Sequence, residues 1–131
     1  MTIRTGYFSK AEAYAKAGYA LVSIALKPAW FLPRHLRLFQ LRHLAPTQEL
    51  LFLKEDPDRY VPKYKAEVLS HLSADAILAR LQYICEQAKT DKVVLLCWEA
   101  PGKFCHRHLV AEWIRTELGI PVCEVAKEEL A

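Results

Sequence analysis

The chain has no long hydrophobic run, and this absence argues against a protein that spans a membrane with helices. No apolar stretch approaches the ~20 residues that a membrane-spanning helix needs. The N-terminus lacks the apolar segment of a secretory signal, so the expected location is cytoplasmic, with no membrane partner. Internal repeats, low-complexity segments and linkers are absent too, and the length fits one domain over residues 1–131.

An excess of charge and a cysteine motif are also missing. The net charge is only +3, which suits an anionic ligand but falls short of the dense basic surface of a dedicated nucleic-acid binder. The four cysteines, at positions 85, 97, 105 and 123, form no CxxC pair. In a reducing compartment we expect them to be buried, metal-binding or reactive rather than disulfide-bonded.

The most informative stretch runs from Lys92 to Leu118. Residues 93–98 (VVLLCW) form an apolar run whose strand-forming residues predict a strand in mid-sheet, buried on both faces. The proline and glycine in residues 99–104 (EAPGKF) predict a loop. From Cys105 onward apolar residues recur at helical spacing, and Arg107 belongs to the polar face. The stretch is therefore predicted as a strand, a loop and an amphipathic helix.

The remaining sequence predicts strands separated by helices. That order indicates an α/β fold of Rossmann-like type: a single domain with a mostly parallel sheet and helices on both faces. The predicted elements are strands at 2–8, 19–25 and 120–125, a helix at 10–16, helices begun by Thr47, Asp56-Pro57 and Ser73, a loop with short turns at 30–46, and a frayed tail.

Residues whose side chains could bind a ligand or react lie where such strands end. The carboxyl ends of parallel strands share one edge of the sheet, and helix N-termini there attract anions. Gly6 offers a position where a ligand could approach the backbone closely, and Tyr7 and Phe8 could wall a pocket for a planar group. The predicted pocket consists of Tyr7, Cys97, Glu99, Cys105, His106 and Arg107.

Cys105 is the candidate nucleophile. It stands at the start of the predicted helix beside His106 and Arg107, and each feature favours thiolate over thiol. The alternative is a small residue packed under the loop. Cys97 is the weaker candidate, because burial in an apolar strand raises a thiol pKa. Glu99 could act as a base or hold Arg107 in place, so the catalytic candidates are Cys105, His106 and Glu99.

A second possibility for the same loop is an anion site. Arg107 and Lys103, together with the helix N-terminus, would bind a phosphate or carboxylate, with Arg107 giving a bidentate contact. In the empty protein Glu99 would supply the compensating charge. The alternative is a solvated basic turn.

Ligands for zinc are present, but their spacing is unusual. Cys97, Cys105, His106 and His108 are suitable residue types, whereas zinc-binding cysteines usually come in closely spaced pairs. Seven residues separate these cysteines, so the sequence predicts no bound metal, and no other cofactor is indicated.

Two motifs carry a family resemblance. Residues 95–99 (LLCWE) followed by 104–107 (FCHR) resemble the bacterial family catalogued as domain of unknown function 488. The segments 5–9 (TGYFS) and 44–46 (LAP), with the pair Tyr60 and Tyr64, look like its shorter members.

One departure affects the expected ligand. Residues 23–26 (SIAL) stand where many relatives have an Asp-Val-Arg pattern, so Lys27 substitutes for that arginine or the ligand differs. The resemblance implies an α/β domain with a cysteine and histidine site, and it brings no established reaction.

Two functions follow as hypotheses. The first is an enzyme acting on an anionic, for example nucleotide-like, small molecule, with Cys105 as nucleophile or redox thiol and Arg107 holding the anion. The second is a non-catalytic module that binds a nucleotide or nucleic acid at the same anion site. Basic and aromatic residues between Trp30 and His43 could stack on bases, although such residues more often pack their own segment.

Overall fold

A parallel sheet forms the centre of the molecule, which a computed structural model describes over residues 1–27, 29–100 and 102–130. The strand order in the described residues is β3-β2-β4-β1-β5. The predicted mid-sheet strand, β4, therefore lies in the centre, between β2 and β1. The strands are β1 (Thr2–Tyr7), β2 (Ala20–Ser23), β3 (Leu38–Gln40), β4 (Lys92–Cys97) and β5 (Val122–Glu124).

Helices cover both faces of this sheet, as predicted. One face packs against α1, and the other packs against α3, α4 and α5. Val94 and Leu96 of β4 point to the α1 side, whereas Val93 and Leu95 point to the opposite side. Side chains alternate along a strand, so a strand apolar at every position is stable only when both faces are covered. The helices are α1 (Ala11–Lys16), α2 (Gln48–Leu51), α3 (Pro57–Glu67), α4 (Ala74–Ala88) and α5 (His106–Leu118).

Several helix boundaries follow from capping residues that the sequence reveals. The Thr47 hydroxyl accepts a hydrogen bond from the Leu50 amide (3.2 Å), and the Ser73 hydroxyl accepts one from the Ala76 amide (3.3 Å). Gly119 ends α5 in the left-handed conformation, with φ of 65°. These three predicted helix ends are confirmed.

Two predictions about less regular segments were wrong. Residues 38–40, which lie in the segment predicted as loop, form the edge strand β3. Three half-exposed residues are too few to show an alternating pattern. The tail is not frayed, because Lys127–Leu130 forms a 3-10 helix whose Glu129 accepts a hydrogen bond from the Tyr19 hydroxyl (2.6 Å). The prolines expected to stop strands two and three, Pro28 and Pro101, lie outside the described residues.

The first loop does not provide the ligand approach predicted for it. A Cβ atom added at Gly6 would lie 2.6 Å from the Tyr14 ring, so Gly6 makes room for a core tyrosine rather than for a ligand. Phe8 is 1% exposed and packs edge-on against Trp98, with ring centroids 5.3 Å apart. Phe8 is therefore part of the core and does not wall a pocket.

The topology places a switch point between the carboxyl ends of the adjacent strands β1 and β4. The helix that follows β1 lies on one face, and the helix that follows its neighbour β4 lies on the other. Open α/β sheets bind ligands at such a switch point. The fold is thus a single-domain α/β fold of the predicted class. Among the helices of the described residues, none combines the length and apolar character needed to cross a membrane.

Candidate functional site

A cleft of about 350 Å³ opens at the carboxyl ends of β2 and β4. Its wall combines apolar and aromatic side chains with two lysines and a cysteine and histidine cluster. Both motifs that suggested a site in the sequence contribute to it. The lining residues are Ala25, Leu26, Lys27, Pro46, Leu51, Lys54, Tyr60, Cys97, Trp98, Glu99, Phe104, Cys105 and His106.

Cys97 and Cys105 meet at this cleft. Cys97 is the last residue of β4 and Cys105 is the N-cap of α5. The structure joins their sulfur atoms as a disulfide, with Cα atoms 7.2 Å apart. The sequence predicted that these cysteines are buried, metal-binding or reactive rather than disulfide-bonded in a reducing compartment; both are buried, and the structure pairs them. The loop between them returns the chain to the strand end, and spacing along the sequence does not reveal that return.

His106 lies beside the cysteine pair as the first residue of α5. Its Nε2 atom is 2.6 Å from the Ile24 carbonyl oxygen, which can only accept, so Nε2 carries the hydrogen. The other nitrogen, Nδ1, then has a free lone pair and lies 3.8 Å from the Cys105 sulfur. Burial lowers the pKa of His106 from 6.5 to about 4, and the charge of Arg107 contributes to the shift. The ring is therefore neutral near pH 7.

Aromatic residues of α3 and the loop before α5 surround this histidine. The Tyr64 ring centroid is 5.6 Å from that of His106, and its hydroxyl donates to the Leu44 carbonyl oxygen (2.7 Å). Tyr60 packs edge-on against Phe104, with centroids 4.9 Å apart. Burial raises the pKa of Tyr60, and the negative charge of Glu99 adds to that effect. These tyrosine side chains are therefore neutral near pH 7.

Arg107 does not lie on the polar face of α5, where the sequence pattern placed it. It is 0% exposed, and its Nε and Nη2 atoms donate to the two carboxylate oxygens of Glu124 (3.0 and 2.9 Å). Its Nη1 atom donates to the Glu99 carbonyl oxygen (2.6 Å) and to the Cys97 sulfur (3.2 Å). The compensating carboxylate is therefore that of Glu124, and Glu99 contributes only its main-chain oxygen.

Glu124 completes a partly buried polar network at the end of β5. The Thr5 hydroxyl donates to the same carboxylate (2.5 Å). Burial alone would raise the pKa of Glu124, but the hydrogen bonds from Arg107 and Thr5 outweigh it and lower that pKa. Glu124 is thus charged near pH 7, and the network connects β1, β5 and α5 to the strand end that carries Cys97.

The other residues predicted for the site lie at its margins. Tyr7 is half-buried with its ring 6.0 Å from the Arg107 guanidinium carbon, and it does not line the cleft. Lys103 is exposed and borders a neighbouring hollow of about 260 Å³ that Glu99 also lines. His108 is exposed, so the histidine near the cysteines is His106. Of the residues predicted for the pocket, Cys97, Glu99, Cys105 and His106 line the cleft.

Sequence reasoning missed Glu124 and Lys54. Glu124 ends β5, so its position at the shared carboxyl edge was a usable signal. Lys54 follows α2 in a polar turn and gives no signal, because its place in the cleft depends on how α2 and α3 pack. Tyr60 and Lys27 were noted only through the family resemblance.

One comparison with known proteins identifies a family. Residues 14–118 match the family model DUF488-N3a, described as the active DUF488-N3 subclade. That range contains the cysteine, histidine and arginine cluster and ends before Glu124. Neither the curated proteins nor the solved structures include a significant match. Since the matched range covers most of the chain, the protein belongs to the DUF488 family.

Proposed function

We propose that this protein is a cysteine-dependent enzyme that acts on a small molecule carrying an anionic and a planar group. The observation that supports this most is the 3.8 Å approach of the Cys105 sulfur to the lone pair of His106 Nδ1 at the wall of the cleft. A thiol paired with a neutral imidazole is the usual arrangement of an activated cysteine. The description of the matched subclade as active agrees with this proposal.

The reaction begins from the reduced pair. A thiol reductant, of the kind that the cytoplasm supplies, transfers two electrons and two protons to the Cys97–Cys105 disulfide and gives two thiols. We place the protein in that compartment. Cys105 then bonds to an electrophilic atom of the substrate while its proton passes to His106 Nδ1. The leaving group departs with that proton, which restores the neutral ring.

Two features favour negative charge on the sulfur atoms. Cys105 is the N-cap of α5, where the free amides and the helix dipole stabilise an anion. The Cys97 sulfur accepts a hydrogen bond from Arg107, which lowers the energy of its thiolate. Cys97 is thus a second sulfur atom at the cleft on which negative charge is stabilised.

The ligand class follows from the other groups at the cleft. Lys27 and Lys54 provide positive charge, and Lys103 lies beside them on the rim. Tyr60 and Phe104 provide aromatic surface for a planar group. A nucleotide carries both a planar base and a phosphate, so we take a nucleotide-like molecule as the substrate class.

Arg107 has a different part in this proposal from the one expected from sequence. A guanidinium has five N–H donors, and four of them already meet Glu124, Glu99 and Cys97. We therefore assign anion binding to the lysines and assign Arg107 the positioning of Cys97 and the loop.

A nucleic-acid binding module without thiol chemistry is the second candidate, and one observation favours it. Trp30 is 86% exposed, its ring centroid is 6.0 Å from that of Phe31, and Phe31 lies 5.7 Å from Trp98 at the cleft rim. A row of exposed aromatic rings is suited to stacking on bases. This function does not need a reactive Cys105.

Ligand protection tests the proposed enzyme. Adenosine 5′-monophosphate should slow the alkylation of Cys105 in the reduced protein and leave the exposed Cys123 unaffected. Lys54→Ala should remove the protection, whereas Lys16→Ala, on a remote helix, should retain it. If the nucleotide protects neither the wild type nor Lys16→Ala, the assigned substrate class is wrong. If protection is intact in Trp30→Ala, the stacking row is not the binding site.

A further inference from the structure

The cysteine pair and the neutral histidine also have the composition of a metal site. The sulfur atoms of Cys97 and Cys105 and a ring nitrogen of His106 all lie within 4.8 Å of one another, and all three residues are buried. Two thiolates and one imidazole are a set of ligands that zinc commonly takes. We infer that the reduced protein binds one zinc ion through these three side chains, with a fourth position open to the cleft.

The separation between the Cys105 sulfur and the His106 nitrogen suits a tetrahedral ion. Zinc–sulfur bonds of about 2.3 Å and zinc–nitrogen bonds of about 2.0 Å place a sulfur and a nitrogen ligand roughly 3.5 Å apart. The Cys105 sulfur and His106 Nδ1 are 3.8 Å apart, so this pair needs little movement. The Cα atoms of the two cysteines, at 7.2 Å, are farther apart than the usual 4.4–6.8 Å of a disulfide, which suits thiolates on either side of an ion.

Groups that would support such a site are already in place. Histidine ligands of metals usually donate their second ring N–H to a carbonyl or carboxylate, and His106 Nε2 does so to Ile24. That bond leaves Nδ1 to face the cysteines. Arg107 donates to the Cys97 sulfur and is itself fixed by Glu124. His106 and Cys97 therefore have their orientations set before a metal arrives.

Charge balance favours the ion at this depth. Two buried thiolates are costly unless they are compensated, whereas two thiolates with Zn²⁺ form a neutral unit. Arg107 and Glu124 neutralise each other, so the metal-bound centre has no net charge. A dithiol reduces the disulfide by supplying two electrons and two protons, whereas a phosphine supplies the electrons, water supplies the protons and the phosphine leaves as its oxide. Zinc binding then releases the two thiol protons.

The prediction of no metal rested on ligand spacing along the chain. That argument does not apply to the folded protein, because the ligands come from the end of β4 and the start of α5 rather than from one knuckle. All three ligands line the cleft, so the vacant coordination position faces the space where a substrate would bind. This inference goes beyond the proposed function, because a metal-bound Cys105 is a ligand and not a nucleophile.

Cobalt is the probe that tests this inference. The protein is reduced with a phosphine under nitrogen and titrated with Co²⁺. We expect one ion per chain, with visible bands of tetrahedral cobalt and a near-ultraviolet band from thiolate to cobalt. Zinc should displace both sets of bands. Cys97→Ser, Cys105→Ser and His106→Gln should each weaken binding at least tenfold, whereas Cys123→Ser and His108→Gln should bind as the wild type does.

A second measurement uses only the wild type, so its result does not depend on whether the variants fold. Zinc added to the reduced wild type should shield Cys97 and Cys105 from alkylation and leave Cys123 reactive, as peptide mapping can show. Absence of a saturable cobalt spectrum in the wild type, or an unchanged spectrum in Cys105→Ser, would overturn the metal site. If Cys105 of the metal-free protein still alkylates rapidly, the proposed function stands without it. Cobalt binding together with an unreactive Cys105 in the metal-free protein would support the metal site and contradict the proposed function.

Discussion

Arg107 and Glu124 form a bidentate ion pair, with N–O distances of 3.0 and 2.9 Å, at the carboxyl edge of the sheet. They lie on α5 and β5, and the same guanidinium reaches the strand end that carries Cys97. The pair therefore ties the last strand to the cysteine cluster. An arginine in the first turn of a helix opposes the helix dipole, and this carboxylate compensates for it.

The first prediction concerns the stability that this pair provides. Removing one partner of a buried ion pair costs about 3–5 kcal/mol, because the other charge is left unpaired, and the 28% exposure of Glu124 places this pair at the lower end. Arg107→Ala should therefore lower the free energy of unfolding by that order, as urea denaturation can measure. If Arg107 lay on the surface, as the sequence pattern predicts, the same substitution would leave the melting temperature nearly unchanged.

A double substitution separates charge from packing. Arg107→Met with Glu124→Leu removes both charges and retains apolar volume, so it should recover most of the lost stability. Lys65→Ala, on an exposed ion pair with Glu112, is the matched control and should change stability by less than about 1 kcal/mol. An Arg107→Ala protein as stable as this control would show that the pair contributes nothing.

The second prediction concerns acid sensitivity at His106. The folded protein holds the pKa of this ring at about 4, whereas its ordinary value is 6.5. Between these values the unfolded chain binds a proton that the folded protein does not, so stability is complete above 6.5 and falls as the pH falls towards 4. The loss amounts to about 3 kcal/mol.

Comparison with a non-titrating side chain isolates this contribution. His106→Gln can keep the hydrogen bond to the Ile24 carbonyl and has no ring to protonate, so its stability should fall less steeply over the same pH range. Parallel slopes in the two proteins would show that His106 is not the group responsible. Glu124 affects both proteins alike, because its lowered pKa removes stability only at more acidic pH.

The third prediction concerns Gly6 and Tyr14. A methyl group at Gly6 would lie 2.6 Å from the tyrosine ring, and overpacking of this kind typically costs about 1–3 kcal/mol. Gly6→Ala should therefore destabilise the protein in urea denaturation. In the background of Tyr14→Leu the same change should cost less, since the ring is gone. Equal costs in both backgrounds would show that the Tyr14 ring is not what Gly6→Ala clashes with.

Residues 92–118 show how far the sequence determines the fold. An apolar run buried on both faces, a loop with glycine, and helical spacing after Cys105 were sufficient for β4 and α5, because each follows from local periodicity. The edge strand Leu38–Gln40 was missed, because three residues carry no period and pairing with β2 alone defines it.

The site was predictable only in part. Cys105 and His106 are adjacent in the chain, so their pairing at a helix start could be read from it. The burial of Arg107 could not be predicted from the sequence, because it depends on Glu124. This partner is 17 residues away, and its strand pairs with the far side of β1. The Cys97–Cys105 contact depends likewise on the path of the loop between them.

The reactivity of Cys105 tests the central claim most directly. In the fully reduced, metal-free protein, the helix N-terminus and His106 should make Cys105 react with iodoacetamide near neutral pH faster than the exposed Cys123 and the buried Cys85. His106→Gln should slow Cys105 towards the rate of an ordinary thiol and leave Cys123 unchanged. Peptide mapping by mass spectrometry gives the three rates separately. A Cys105 that labels no faster than Cys123, with a rate indifferent to His106→Gln, would contradict the account.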